Sequence, residues 1–190
     1  MVKFHNFHQT VQEYYSRGKE NLFPILFDCP NPDCAYPGRL RFHGFYTRNA
    51  LTLYGTFLIF IQRYFCPRCK HTVSLLPSFL APRFQYSLSL IFFTLFRMII
   101  NHLPLERITQ LVGAFPGYQI IFHQNLVFYR KRFLANLPLI LGYFGTRELV
   151  FSEDFQSCVQ AVTRQICRCP LPVFHLELFF VQSRSFLSKS

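Results

Sequence analysis

Four cysteines stand in two pairs, Cys29-Pro-Asn-Pro-Asp-Cys34 and Cys66-Pro-Arg-Cys69. Two short loops brought together in space would offer four thiolates, the complement of a closed tetrahedral Zn²⁺ site. Four residues between Cys29 and Cys34 is the long end of the usual spacing, and the gap from Cys34 to Cys66 is wider than the compact template. That gap suits two strands, one running out from the first loop and one back to the second. The competing chemistry is a redox-active or merely buried set of thiols. A Cys-x-x-Cys redox site wants a thioredoxin-like βαβ setting, and no such pattern surrounds Cys66 and Cys69. His43 and His71 are the replacement ligands within reach in sequence, but four cysteines already complete a shell. Cys167 and Cys169, with one residue between them, have a poor chelating span, and Cys158 reads as core.

A second set of residues could meet a polyanion. Arg39, Arg41, His43 and Arg48 fall on the strand expected after the first cysteine loop, and Arg63, Arg68 and Lys70 surround the second. Farther on, Arg130, Lys131 and Arg132 lie in the later half of an expected helix whose early part holds Gln119, His123 and Gln124. Lysine and arginine neutralise phosphates, and a recognition helix reads bases from its N-terminal part. The plain alternative for each cluster is a solvated or packed face.

The elements that must position these residues follow from periodicity. Residues 1–21 read as a polar lead-in with one short helix around Val11–Ser16. Residues 22–83 read as a zinc ribbon. In Arg39–Arg48, Leu40 and Phe42 alternate with Arg39, Arg41 and His43, the period of a half-buried strand. Gly44 suggests a bulge or a close approach. Leu51–Phe65 is the second strand, with Gly55 marking a turn or bend, and it leads straight into Cys66. Pro77 and Pro82 close the unit.

Residues 84–136 change period. Ser87–Asn101 reads as a buried helix, too short for a bilayer and carrying Arg97. Leu105, Ile108, Leu111 and Val112 share a helical face between Pro104 and Gly113. Tyr118–Leu134 reads as a longer helix with Tyr118, Phe122, Leu126, Tyr129 and Phe133 on one side. Helix, short glycine-containing turn and helix is the outline of a helix-turn-helix. Residues 137–190 hold one further amphipathic helix, starting near Ser152, and an irregular tail. The fold class expected is α+β: a small β zinc ribbon followed by a helix-turn-helix-like region.

Composition narrows the function. The chain has 190 residues, 20 Lys plus Arg against 9 Asp plus Glu, and 25 Phe but no Trp. The formal charge of +11 favours nucleic acid first and an anionic membrane second. Seven cysteines, no continuous apolar leader and a Cys-x-x-Cys fit a reducing, cytoplasmic interior. Walker, dinucleotide, HExxH and Gly-x-Ser-x-Gly signatures are absent, and the few acids do not gather on an evident sheet framework.

Cys29 to Tyr86 resembles a largely uncharacterised zinc-ribbon family, a domain of unknown function, seen in bacterial transposase-like proteins. The matching stretches are the two cysteine pairs, His43-Gly44-Phe45-Tyr46-Thr47-Arg48, Arg63-Tyr64-Phe65-Cys66-Pro67-Arg68-Cys69 and Thr72–Leu80, towards Tyr86-Ser87. The resemblance covers roughly a third of the chain. It implies zinc on Cys29, Cys34, Cys66 and Cys69, a helix-turn-helix to follow, and DNA recognition in mobile-element biology. It does not imply catalysis in this chain, and whether a protein partner supplies it stays open. Two rival functions remain open: a protein–protein interaction module and a basic membrane-associated protein.

Overall fold

The computed structural model describes residues 1–34, 36–137, 160 and 163. The helix expected from Ser152 and the cysteines Cys158, Cys167 and Cys169 lie outside the described residues. Those described form a mixed α/β structure in which a four-stranded sheet meets four α-helices.

The strands are β1 (Val2–His5), β2 (Arg41–Thr52), β3 (Gly55–Phe65) and β4 (Thr72–Pro77), in spatial order β1-β4-β3-β2. Sequence periodicity anticipated β2 and β3 but placed the bend between them too early. The hairpin turns at Leu53 and Tyr54, and β2 runs on to Thr52. The Thr52 hydroxyl explains the choice: it accepts from the N–H groups of Tyr54 and Gly55, each at 3.1 Å, and donates to the Gly55 carbonyl at 3.0 Å. The expected irregularity at Gly44 is a bulge. The β2–β3 register shifts between Phe42 and Phe45, and Gly44 sits at φ 91°, open to glycine. The expected alternation does not hold at its start: Phe42 is 61% exposed, while Leu40, just ahead of the strand, is buried.

Sequence reasoning treated residues 1–21 as a lead-in, yet β1 pairs in parallel with β4, Val2 opposite Ser74 and His5 opposite Pro77. Four residues of mixed polarity carry too little pattern to announce an edge strand. The helix α1 (Val11–Arg17) is close to expectation. Thr10 caps it by accepting from the Glu13 N–H, and the Glu13 carboxylate reaches back to the Thr10 N–H at 2.7 Å. Its fully buried Tyr14 donates to the Phe60 carbonyl at 2.8 Å and packs edge-on against Phe7, Phe23 and Phe79. Burial raises the Tyr14 phenol well above its ordinary range.

Period-two alternation then covers both faces of the sheet. Ile59 and Ile61 face the α1 side with Ala50 and Leu76. Tyr64 and its register partner Val73 face the cysteine loops, with Leu26, Leu40 and Leu75.

Three helices make the other half. Helix α2 (Leu88–Ile99) is the expected buried helix, capped by the Ser87 hydroxyl on the Leu90 N–H at 3.3 Å. Helix α3 (Leu105–Gly113) begins after Pro104 as expected. Helix α4 spans His123–Ala135, shorter than the expected Tyr118–Leu134. Leu90, Leu95, Ile108, Val112, Leu126 and Phe133, all fully buried, anchor their shared core. Tyr118 and Phe122 were expected on that face but lie 78% and 65% exposed, ahead of the helix. The α3–α4 connection is therefore nine residues, Ala114–Phe122, against the three or four of a helix-turn-helix. Its Gly117 N–H donates to the Leu53 carbonyl at 2.9 Å, and a Cβ there would come within 2.6 Å of the Gly55 nitrogen. Only glycine lets this connector seat on the β2–β3 turn.

Candidate metal centre and basic surfaces

Each cysteine pair sits where a hairpin turns. The first loop is closed by an antiparallel bridge between Phe27 and Arg39, with the Leu40 N–H on the Leu26 carbonyl at 2.8 Å. Within it the Cys29 N–H reaches the Tyr36 carbonyl, and the Cys34 N–H reaches the Asn31 carbonyl. The second loop joins β3 to β4. The Lys70 N–H donates to the Cys66 carbonyl and the Cys66 N–H to the His71 carbonyl, both at 3.0 Å. Lys70 takes φ 61° to finish this tight knuckle.

The four sulfurs lie within 4.8 Å of one another. Cys29 Sγ is 3.6 Å from Cys69 Sγ, and Cys34 Sγ is 3.7 Å from Cys66 Sγ. These are not disulfides, whose sulfurs sit about 2 Å apart. A tetrahedron of thiolates around an ion at about 2.3 Å has edges of about 3.8 Å, so the donor set fits a closed metal site. Neither His43 nor His71 belongs to the cluster. Cys34 and Cys66 are buried, Cys29 and Cys69 half-buried.

As free thiols, Cys29, Cys34 and Cys69 would ionise unequally. Burial pushes Cys29 up to about 12 and raises Cys34 as well. Burial also opposes ionisation of Cys69, but hydrogen bonds from the His71 backbone and ring and from neighbouring thiols bring it down to about 6. A bound dication would relieve the crowding by drawing all four into the thiolate form.

The basic residues divide into two groups. Around the metal end, Arg39, Arg41, His43, Arg68 and Lys70 are all exposed. Phe65 organises three of them. The His43 ring stacks on it at 5.6 Å, the Lys70 ammonium lies 6.0 Å from its centroid, and Arg41 is its register partner. Arg48 is turned inward instead, its guanidinium donating to the carbonyls of Ala81, at 2.7 Å, and Phe84. It joins the strand to the segment before α2 and does not face solvent with the others.

The second group follows the connector. His123 and Gln124 are exposed at the start of α4, His123 Nδ1 lying 4.0 Å from Glu106 Oε1. Arg130 and Lys131 are exposed, while Arg132 stacks over the Phe128 ring at 5.3 Å. Gln119 stands apart from its expected companions: it precedes the helix, is 5% exposed, and donates to Thr56 Oγ1 at 2.9 Å. The connector seats on the hairpin turn and the cysteines lie at the hairpin's other end. The structure therefore does not bring His123 and Gln124 together with Arg39 and Arg41. Sequence reading pointed to Phe45 and Tyr46 as the rings beside the first group and did not single out Phe65 or Phe128, because which ring meets a cation has no signature in pattern alone.

No helix among the described residues is long and apolar enough to cross a membrane. A domain of unknown function, DUF6431, covers residues 30–109. That stretch takes in Cys34, Cys66 and Cys69, the strands β2 to β4, helix α2 and the first half of α3. No curated protein and no solved structure matches the chain.

Proposed function

We propose that this chain is a zinc-stabilised, non-catalytic DNA-binding protein of the cytoplasm, related to the recognition parts of mobile-element transposases. The observation that carries the reading is a closed four-thiolate cluster ringed by exposed cations. Arg39, Arg41, Arg68 and Lys70 are borne on the loops and strand start that the cluster holds in place. Thiolates select zinc over harder ions, and four protein ligands leave no position for a reactive water, so the metal's role is structural. Arg130 and Lys131, with His123 and Gln124, form a second contact region on α4. Any strand chemistry belongs to a partner protein.

The test is DNA affinity against salt, with the metal bound and after chelation. Phosphate contacts release counterions, so log affinity falls linearly with log salt, and removing one phosphate-binding cation flattens the slope by roughly one unit. Neutralising Arg39, Arg41, Arg130, Lys131 and Arg132 together should weaken binding on all sequences and flatten the slope while zinc stays at one per chain. Unchanged affinity and slope would leave protein docking as the better account.

A further inference from the structure

The connector between α3 and α4 holds an unusual row of side chains. Tyr118, Ile120 and Phe122 are 78%, 70% and 65% exposed, while Gln119 and Ile121 between them are buried. Burial alternates along this strip, which turns one largely apolar face outward. It is pinned along its length. The Gly117 N–H bonds Leu53, the Gln119 amide bonds Thr56, the Tyr86 hydroxyl donates to the Ile120 carbonyl at 2.7 Å, and the Phe122 N–H reaches Asn125 Oδ1. Tyr118 also takes φ 45°, the left-handed region that a bulky residue adopts only under constraint, so the fold spends strain to hold that ring outward.

The strip continues into basic ground. Tyr86 leads from Ile120 to the Tyr129 ring at 6.4 Å, and Phe84 touches both Tyr129 and the part-exposed Phe128. Arg132 lies over Phe128, and Arg83, Arg130 and Lys131 are exposed nearby in sequence. From Arg83 to the end of α4 the chain holds one acid, Glu106, against six Lys or Arg.

From this we infer that the strip Tyr118–Phe122, with Phe128, is a stacking platform for the unpaired bases of single-stranded nucleic acid. The inference rests on the DNA-binding reading and names the form of nucleic acid this region takes. Exposed rings on a rigid backbone, flanked by cations, are what sequence-tolerant single-strand binding needs. Bases in a duplex are stacked on one another and have no free face to offer. A lipid surface fits less well, because it wants a broad continuous apolar face, whereas this strip is short and the exposed His123 and Gln124 follow it directly.

The chain has no Trp, which makes the test direct. Tyr118→Trp and Phe122→Trp each place a single reporter on the strip. The full-length zinc-bound protein would be titrated with a short oligothymidylate, a duplex of equal length, and phosphatidylserine-containing vesicles. The expected result is quenching of the indole by the single strand and a weaker response to duplex. Removing Tyr118, Phe122 and Phe128 by substitution to Ser should weaken single-strand binding about tenfold per ring without changing the salt slope. Tyr118 and Phe122 are largely exposed, so their variants test contact and not folding, while part-exposed Phe128 also packs on Phe84 and Tyr129 and its variant is read only where circular dichroism and a denaturant melt match the parent. An unquenched indole in protein that still binds duplex with a steep salt slope would overturn the platform and leave the DNA-binding reading standing. An unquenched indole together with no salt-dependent binding of either nucleic acid would overturn both. A blue shift with vesicles alone would assign the strip to a lipid surface.

Discussion

At the cysteine end of the sheet the apolar side chains are few: Leu26, Leu40, Tyr64, Val73 and Leu75 pack around Cys34 and Cys66. In the helical half, fourteen buried residues form one continuous cluster from Ala81 to Leu137. Both regions are ordered, by different means. The cysteine loops contain Pro30, Pro32 and Pro67 and little regular hydrogen bonding, so their own packing would not overcome the entropy of fixing them. A metal ion held by the four sulfurs at their shared centre would supply what the core lacks. The helices need no such clamp, because an amphipathic face buried against two neighbours stabilises each of them. The difference teaches that any dependence on a metal at the four sulfurs would be local, while the surfaces that carry the cations span both regions.

The sharpest way to break that comparison is to remove the metal. Structural zinc contributes about 10–16 kcal/mol of apparent binding free energy in small zinc units, so Cys66→Ser should abolish metal binding and unfold the cysteine end. The helical signal in far-ultraviolet circular dichroism should survive in large part. A single cooperative loss of helix and sheet on chelation would show the two regions to be one folding unit.

The converse test strikes the helical core. Phe133 is fully buried against Phe92, and Phe133→Ala should cost about 3–5 kcal/mol. Metal stoichiometry should stay at one per chain if the regions are independent, measured by metal analysis of the folded fraction. Gly117→Ala tests the joint between them. The new Cβ would press on the backbone of Leu53 and Gly55 and cost about 1–3 kcal/mol in a denaturant melt. Zinc affinity should not change, since the hairpin turn is remote from the sulfurs. The smallest effect is expected from Tyr14→Phe, which deletes one hydrogen bond to Phe60 and should lower stability by about 1 kcal/mol. That loss should be the same with zinc bound or removed if the α1 face of the sheet folds apart from the cysteine end.

Much of this architecture was legible in the residues. The cysteine spacing announced four sulfurs in one place, and Ser87, Pro104 and Gly113 marked helix ends that the structure keeps. The bulge was visible in Gly44. What escaped was non-local. Strand β1 exists because β4 offers it an edge, and nothing within Val2–His5 says so. The start of α4 was misplaced because Tyr118 and Phe122 continue the apolar spacing of Leu126, Tyr129 and Phe133. A period of 3.6 cannot tell a buried ring from one held in solvent. Gln119 was read as polar and therefore available, but its partner Thr56 lies on a different element. Arg48 was counted with Arg39 and Arg41 because it falls on the same strand, yet its guanidinium bonds backbone carbonyls of another segment.

The parallel pairing of β1 with β4 has a consequence in time. Val2 meets Ser74 across more than seventy residues, a long loop to close before any ladder bond rewards it. On a chain made from its N-terminus, β1 waits without a partner until Pro77 has been synthesised. The β3–β4 hairpin that presents the receiving edge turns on the Cys66–Cys69 knuckle. A metal held at that knuckle would therefore set the moment at which β1 finds its place, and metal starvation would leave β1 longer exposed to aggregation and proteolysis.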